Sequence, residues 1–235
     1  MVNARGQMKS ITGTDTTFIT NEGEKNLRER FRVLIRDTRF FDVLVGYFYT
    51  SGFHALYKSL VNAQKIRILI GISTSKQTFN LIQVAQSPLQ GAFEFSHAET
   101  KDEFSNTVAE EMENSEDNKN VEEGVSKFIE WLRSGKLEIK AYPSENIHAK
   151  IYIMTFVEGD KDVGRVITGS SNFTQAGLID NLEFNVELKD RADYEFALAK
   201  FNELWANAVD VKDEYLETIQ NKTWLNNTIT PYELY

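Results

Sequence analysis

Six apolar runs, each of strand length and rich in β-branched or aromatic residues, restrict the fold most strongly. Continuous apolar runs of this kind are typical of strands that are buried on both faces of a sheet. The runs cover residues 41–49, 66–72, 137–142, 148–157, 165–170 and 183–188. Because amphipathic segments of helical spacing separate several of them, we predict an α/β fold, a mixed β-sheet flanked by helices on both faces.

Four segments place their apolar residues on one face of a helix. These faces consist of Leu27, Phe31, Leu34 and Ile35; of Phe53, Leu56, Tyr57 and Leu60; of Val121, Val125, Phe128, Ile129 and Leu132; and of Tyr194, Leu198, Phe201, Leu204 and Trp205. Asn21 and Glu24 have capping-box spacing and predict the start of the first helix. A last helix is predicted to begin near Lys212.

The composition excludes several classes of protein. The chain has no cysteine, so it has no disulfide scaffold, no thiolate metal site and no cysteine nucleophile. The N-terminal residues lack an apolar core of signal-peptide length, and no window is apolar enough to cross a bilayer. We therefore expect a cytoplasmic protein with no membrane partner.

The net charge of −9 is unusual for a protein that binds phosphate groups. The segment from Glu99 to Glu123 contains ten acidic residues and two lysines, and so carries −8 of that charge. The rest of the chain is nearly neutral and can be locally basic. We interpret residues 95–135 as an acidic helical excursion from the sheet with a solvated surface.

His148 and Lys150 form the first candidate site. Because side chains alternate along a strand, Ile147, Ala149 and Ile151 take one face, and His148 and Lys150 point together to the other. A buried strand would then hold an imidazole beside an uncompensated ammonium group, an arrangement that is costly unless an anion binds. Such a pair suits phosphoryl chemistry: the imidazole can attack phosphorus while the ammonium holds the nonbridging oxygens.

Two further patterns follow in order. Residues 169–174 (GSSNFT) offer hydroxyl and amide donors at a strand end, where Gly169 lets the backbone approach a ligand and Asn172 can bond an oxyanion. In residues 181–188 (NLEFNVEL), Glu183, Asn185 and Glu187 share one face, and a carboxylate there could fix a histidine tautomer. Each pattern alone is common, but their ordered conjunction within residues 148–188 is specific.

The segments HAKIY, GSSNFTQAGL and NLEFN together resemble the phospholipase D superfamily, in its nuclease-like branch. The N-terminal domains of some bacterial helicases and restriction enzymes are the most similar, with a looser likeness in VGYFYTSGF and IRILIGI. The resemblance implies that His148 attacks phosphorus to form a phosphohistidine. It further implies that Lys150 and Asn172 bind phosphate, with Ser170 in the same loop, and that Glu183 orients the histidine.

The sequence departs from the family pattern at one residue and contains only half of the family's active site. The family's usual aspartate, five residues after the lysine, is Thr155 here, which puts full catalytic competence in question. The family mechanism uses two histidines, one attacking and one protonating the leaving oxygen, whereas this chain offers one candidate. A homodimer that pairs two copies of His148 is the natural completion. No metal or other cofactor is implied.

We therefore expect a metal-independent phosphodiesterase, a DNA nuclease domain of a larger helicase- or restriction-type protein. The alternative is a catalytically silent nucleic-acid-binding or dimerisation module, which Thr155 and the acidic charge favour. Lipid hydrolysis is less favoured, since lipid-acting members generally carry both motifs in one longer chain. We expect residues 1–225 to form one phospholipase D-like domain and residues 226–235 to form a linker toward a downstream helicase-like domain.

Overall fold

Each of the six apolar runs contributes a strand, and each predicted helical face lies on a helix. The computed structural model describes residues 17–22, 26–46, 50–71, 119–142, 147–213 and 216. The strands are β1 (Phe18–Thr20), β2 (Thr38–Val45), β3 (Lys65–Gly71), β4 (Leu137–Tyr142), β5 (Lys150–Phe156), β6 (Gly164–Gly169), β7 (Phe184–Leu188) and β8 (Val209–Asp210). The helices are α1 (Leu27–Ile35), α2 (Thr50–Leu60), α3 (Lys119–Ser134) and α4 (Arg191–Ala206), with a π-helical turn at Ala176–Asp180.

All eight strands belong to one mixed sheet in the order β1-β7-β6-β5-β2-β3-β4-β8. Strands β2, β3 and β4 run parallel, and β5, β6 and β7 continue the sheet by antiparallel pairing. In this topology the last residues of β2, β3, β4 and β6 lie at the same end of the sheet as the first residues of β5 and β7. Five residues that the sequence singled out for chemistry lie close to that end: His148, Lys150, Ser170, Asn172 and Glu183.

Helices cover both faces of the sheet, as predicted. One face carries α1, α2, α3 and the π-helical turn over a core that includes Phe31, Phe53, Phe128 and Tyr152. The other face carries α4, whose Tyr194 and Phe201 pack against Leu44, Leu69 and Ile153. Each such large side chain stabilises the fold by about 2 kcal/mol when it is fully buried. The sheet is thus the middle layer of an α-β-α sandwich.

Two short edge strands, β1 and β8, were not predicted. Each has only two or three residues, too few for a recognisable alternation, and each forms because a longer neighbour is already in place. Phe18 pairs with Val186 on β7, and Val209 pairs with Ala141 on β4.

The predicted cap of the first helix was wrong by several residues. Helix α1 begins after Asn26, whose side chain accepts a hydrogen bond from the Glu29 N–H at 3.0 Å. Asn21 still contributes, because its Oδ1 accepts from Leu27 N at 3.0 Å and its Nδ2 donates to Gly177 O at 2.9 Å. An asparagine side chain can satisfy a free helix N–H from either position, and only the folded chain decides which one does so.

The end of the acidic segment is part of the core rather than only a solvated surface. Helix α3 lies in the connection from β3 to the parallel strand β4, and it buries Phe128, Trp131 and Leu132 against the sheet side that holds Phe53. A parallel pair requires such a crossover, and the helix in it must cover the sheet. Residues 95–118, the predicted final helix beyond residue 213, apart from residue 216, and the predicted linker at 226–235 lie outside the described residues.

Among the helices of the described ranges, none combines the length and apolar character required to cross a bilayer.

A buried carboxylate joins α1 to the sheet. Glu187 on β7 is 1% exposed and accepts hydrogen bonds from Arg30 Nε at 2.6 Å and Arg30 Nη2 at 2.7 Å. Arg165 Nε lies 3.4 Å from the same carboxylate. The polar residues of β7 are therefore the buried ones, whereas a strand with this pattern usually exposes them.

We predict that Glu187→Gln lowers the free energy of unfolding by about 3 kcal/mol, because it replaces the buried carboxylate that Arg30 binds through two hydrogen bonds by a neutral amide. Urea unfolding near neutral pH measures the change. Glu195→Gln is the matched control, since Glu195 forms an exposed pair with Arg191 at 2.7 Å and its loss should cost less than about 1 kcal/mol. Equal losses for the two variants would contradict the prediction.

Burial also perturbs one histidine away from the candidate site. His54 on α2 packs closely against α3, where a Cβ added at Gly124 would lie 2.5 Å from His54 Cδ2. Its Nε2 is buried without a hydrogen-bond partner in the described structure. Burial lowers the pKa of His54 from 6.5 to about 4. His54 therefore serves the packing of α2 against α3.

We predict that acidification destabilises the protein through His54. Between pH 6.5 and about pH 4 the unfolded chain binds a proton that the native chain does not, so the free energy of unfolding falls as the pH drops. The full shift corresponds to roughly 3 kcal/mol. Urea unfolding at about pH 7 and about pH 4.5 should show a smaller loss for His54→Leu than for the wild type. Identical losses would refute this assignment.

Candidate active site

Five predicted residues lie near one end of the sheet because three antiparallel strands begin or end there. His148 precedes β5, and Lys150 is its first residue. Ser170 and Asn172 directly follow β6, and Glu183 directly precedes β7. Since Ile151 pairs with Thr168 and Gly169 pairs with Asn185, the three segments are in register at this end.

The apolar residues around His148 and Lys150 follow the predicted alternation. Ile147, Ala149 and Ile151 pack on the α4 side of the sheet, and Tyr152 packs on the other side. By the same alternation, we expect His148 and Lys150 on the side of Tyr152. His148 is exposed, and Lys150 Nζ donates a hydrogen bond to the His148 carbonyl at 3.1 Å.

Within the described ranges, no carboxylate lies at ion-pairing distance from the ammonium group of Lys150. Arg67 on β3, by contrast, pairs with the buried carboxylate of Asp42 at 2.6 Å. The local charge at this end of β5 therefore favours an anion.

The loop after β6 brings the exposed Ser170 and the half-buried Asn172 to the same end. The Ser170 N–H donates to Phe184 O at 3.1 Å, which extends the β6–β7 pairing by one residue. Asn172 is half-buried, and its Oδ1 is buried without a hydrogen-bond partner in the described structure. Gly169 permits the tight approach of the two strands, because a Cβ there would lie 2.6 Å from Asn185 Cα.

Glu183 contacts the loop rather than the histidine. The Ser170 hydroxyl donates a short hydrogen bond to Glu183 Oε2, and Phe184 N donates to the same hydroxyl oxygen at 3.0 Å. No hydrogen bond joins Glu183 to His148 in the described structure. Glu183 and Ser170 thus form one hydrogen-bonded pair, and Lys150 with the His148 carbonyl forms another.

Two residues that the sequence did not single out support this loop. Tyr152 on β5 and Asn185 on β7 are both fully buried, and both bond Ser171 between the two donor residues. Burial, together with the charge of Glu183, raises the pKa of Tyr152 well above 10.0. The alternating pattern of residues 181–188 could have identified Asn185, because it places Asn185 on the same face as Glu183.

Thr155 lies far from this group. It is five residues beyond Lys150 along β5, a distance of roughly 16 Å, and alternation places it on the opposite face. Its hydroxyl lies 2.8 Å from the hydroxyl of Tyr194 on α4, and the two share a hydrogen bond. The residue at the position of the expected aspartate therefore joins β5 to α4.

Several solved structures are similar to the chain at low sequence identity. TrmBL2, an archaeal chromatin protein, is 16% identical with a TM-score of 0.42, over 87% of this chain and 56% of that chain. Nuc from Salmonella typhimurium, a phospholipase D family member, is 15% identical with a TM-score of 0.45, over 82% of this chain and 95% of that one. NucT from Helicobacter pylori is 12% identical with a TM-score of 0.42, over 77% and 89%.

No protein with a curated description matches the sequence significantly. The family described as "Cardiolipin synthase, PLD-like domain" matches residues 34–205, which is well over half of the chain. The matched region includes β5, the loop after β6, and β7, and so contains all five residues grouped at the end of the sheet. The chain therefore belongs to the phospholipase D-like domain family.

Proposed function

We propose that the protein is a metal-independent phosphodiesterase that acts on nucleic acid, as the DNA nuclease domain of a larger helicase- or restriction-type protein. One observation carries the proposal. His148 and Lys150 lie together at the start of β5, where no described carboxylate pairs with the lysine, and Ser170 and Asn172 follow the neighbouring strand at that end. This arrangement offers a nucleophile together with donors for a tetrahedral phosphate.

In the proposed reaction, an imidazole nitrogen of His148 attacks the phosphorus of a diester. A P–N bond forms, the P–O bond to one nucleoside breaks, and the leaving oxygen takes a proton from a general acid. Lys150 and Asn172 bind the nonbridging oxygens, whose charge grows in the transition state. Water then attacks the phosphohistidine, loses its proton to the same acid–base group, and releases His148.

Among the described residues of one chain, no second histidine lies at the site to act as the general acid. Of its three histidines, His54 is buried in the helical layer, and His97 lies outside the described residues. A second copy of the chain would supply another His148 across a two-fold axis, with no further residue type required. We therefore propose a homodimer in which each protomer contributes one histidine to a shared site.

Glu183 has a role in this scheme that depends on substrate. In the free protein its Oε2 accepts from the Ser170 hydroxyl. When phosphate takes the Ser170 hydroxyl as a donor, the carboxylate becomes available to a histidine N–H, where it would fix the tautomer and raise the basicity of the other ring nitrogen.

Nucleic acid is the favoured substrate class over lipid. The motifs at 148–188 are most similar to those of nuclease-like and helicase-linked members, as described above. Among the described residues, the exposed apolar side chains at the site are Leu182 and Phe184, which flank Glu183, whereas others such as Val33 and Val61 lie on other elements. A polymer backbone needs only an open site with phosphate donors, whereas insertion into a bilayer calls for a broad apolar face bordered by Lys and Arg, which two side chains do not supply.

We predict that the purified protein cleaves plasmid or single-stranded DNA in the presence of EDTA, and that His148→Ala removes this cleavage. The reason is that His148 forms the covalent intermediate, so its loss should lower the rate by about three orders of magnitude or more. Gel analysis of DNA products measures the activity, with phosphatidylcholine vesicles as the parallel lipid substrate. Sedimentation of both proteins tests the dimer.

Three outcomes separate the hypotheses. Undiminished cleavage by a folded, dimeric His148→Ala variant would contradict the nuclease assignment. Salt-dependent DNA binding without cleavage by either protein would favour the silent binding module. Release of phosphatidic acid from vesicles with intact DNA would favour the lipid substrate.

We predict that Thr155→Val leaves DNA cleavage within about twofold of the wild type and lowers the free energy of unfolding by about 1–2 kcal/mol. The valine removes the partner of the buried Tyr194 hydroxyl but alters nothing at the other end of β5. Cleavage assays and urea unfolding on the same preparation measure both quantities. A large loss of activity without a loss of stability would show that this position does belong to the catalytic machinery.

A further inference from the structure

Ser171 is the buried centre of the loop that carries the two proposed phosphate ligands. It is 0% exposed, although Ser170 before it is exposed and Asn172 after it is half-buried. The position of its backbone therefore sets the positions of both neighbours. Three of its polar groups, the N–H, the carbonyl and the hydroxyl, are bonded by side chains from outside the loop.

Two strands supply those side chains. Tyr152 on β5 donates its hydroxyl hydrogen to Ser171 O at 2.8 Å. Asn185 on β7 donates from Nδ2 to Ser171 Oγ at 2.9 Å and accepts from Ser171 N at 3.4 Å. Both side chains are 0% exposed, so water cannot replace either of them in these contacts. We call this set of three residues the loop clamp.

The position of the loop clamp along its strands links it to the site. Tyr152 lies two residues after Lys150 on β5, and Asn185 lies two residues after Glu183 on β7. A separation of two residues keeps each pair on one face of its strand. The loop clamp thus fixes the phosphate-binding loop relative to the strand of the lysine and also to the strand of the carboxylate.

We propose that Tyr152 and Asn185 are positioning residues, which hold Ser170 and Asn172 at the distance from Lys150 that binding of a phosphoryl transition state requires. This inference rests on the proposed phosphodiesterase function. Phe173, in the same loop, packs beside Tyr152 in the core, with the two rings 6.1 Å apart. A buried polar network is costly unless every member is hydrogen-bonded, and apolar side chains could fill the same space. The loop clamp therefore contributes by fixing the position of the loop rather than by adding stability.

The kinetic test uses bis(p-nitrophenyl) phosphate in EDTA, a small diester that reports on the phosphate site alone. Tyr152→Phe removes one hydrogen bond to Ser171, and Asn185→Leu removes two. Each is expected to lower kcat by about tenfold or more at temperatures well below its Tm, because displacement of binding groups by a fraction of an ångström to an ångström has effects of this size.

Tyr194→Phe is the matched control. It also removes a buried tyrosine hydroxyl that shares a 2.8 Å hydrogen bond, but on the α4 side of the sheet. We expect a comparable loss of Tm with kcat within about twofold of the wild type. If Asn185→Leu does not fold, the comparison of Tyr152→Phe with Tyr194→Phe still decides the question.

A double-mutant cycle separates positioning from general destabilisation. In an Asn172→Ala background the loop has lost its amide donor, so Tyr152→Phe should lower kcat much less than it does alone. Three results would each overturn the inference. They are multiplicative effects of Tyr152→Phe and Asn172→Ala on kcat, equal effects of Tyr152→Phe and Tyr194→Phe on kcat, and an unchanged kcat in both Tyr152→Phe and Asn185→Leu. A wild-type protein without diesterase activity would instead overturn the proposed function, and this inference with it.

Discussion

The fold and the candidate site both depend on the placement of β5 between β2 and β6. This antiparallel strand joins the parallel half of the sheet to the antiparallel half, and its alternate side chains enter both cores. Tyr152 and Met154 pack under α1 and α2, while Ile151 and Ile153 pack under α4. A shift of the strand by one residue would exchange these sets, so the apolar residues fix the register strongly. The same register leaves His148 and Lys150 together at the open end.

Buried polar residues connect the scaffold to the site. Glu187 ties β7 to α1 through Arg30, and Asn185, two residues earlier on the same face, ties β7 to the phosphate-binding loop. Both residues satisfy the rule that a buried polar group must be bonded, and the bond of Glu187 joins residues that are 157 positions apart. The strand that follows the candidate carboxylate Glu183 is therefore fixed both to the helical layer and to the loop.

The sequence predicted what local patterns determine. Apolar runs located six strands, amphipathic spacing located four helices, and alternation in residues 147–153 correctly assigned Ile147, Ala149, Ile151 and Ile153 to one side of the sheet. It failed where a tertiary partner decides: the cap at Asn26 rather than Asn21, the edge strands β1 and β8, and the burial of Asn185 and Glu187. A carboxylate on an alternating strand normally faces water, and no local pattern reveals that Arg30 will compensate it from more than 150 residues away. The contact between Ser170 and Glu183 has the same origin.

The substitution at position 155 separates the chemistry of β5 from its packing. An aspartate there would place a carboxylate against the buried hydroxyl of Tyr194, and burial without a cation partner would favour its protonated form. Threonine makes a neutral hydrogen bond in the same space. Because Gly164, its pairing partner on β6, packs directly under the Tyr194 ring, this end of β5 serves the contact with α4. The residues that can contact phosphate lie at the other end of the strand, on the opposite face. The end of β5 near Thr155 can therefore contact α4 through a different side chain without altering the strand register that presents His148 and Lys150.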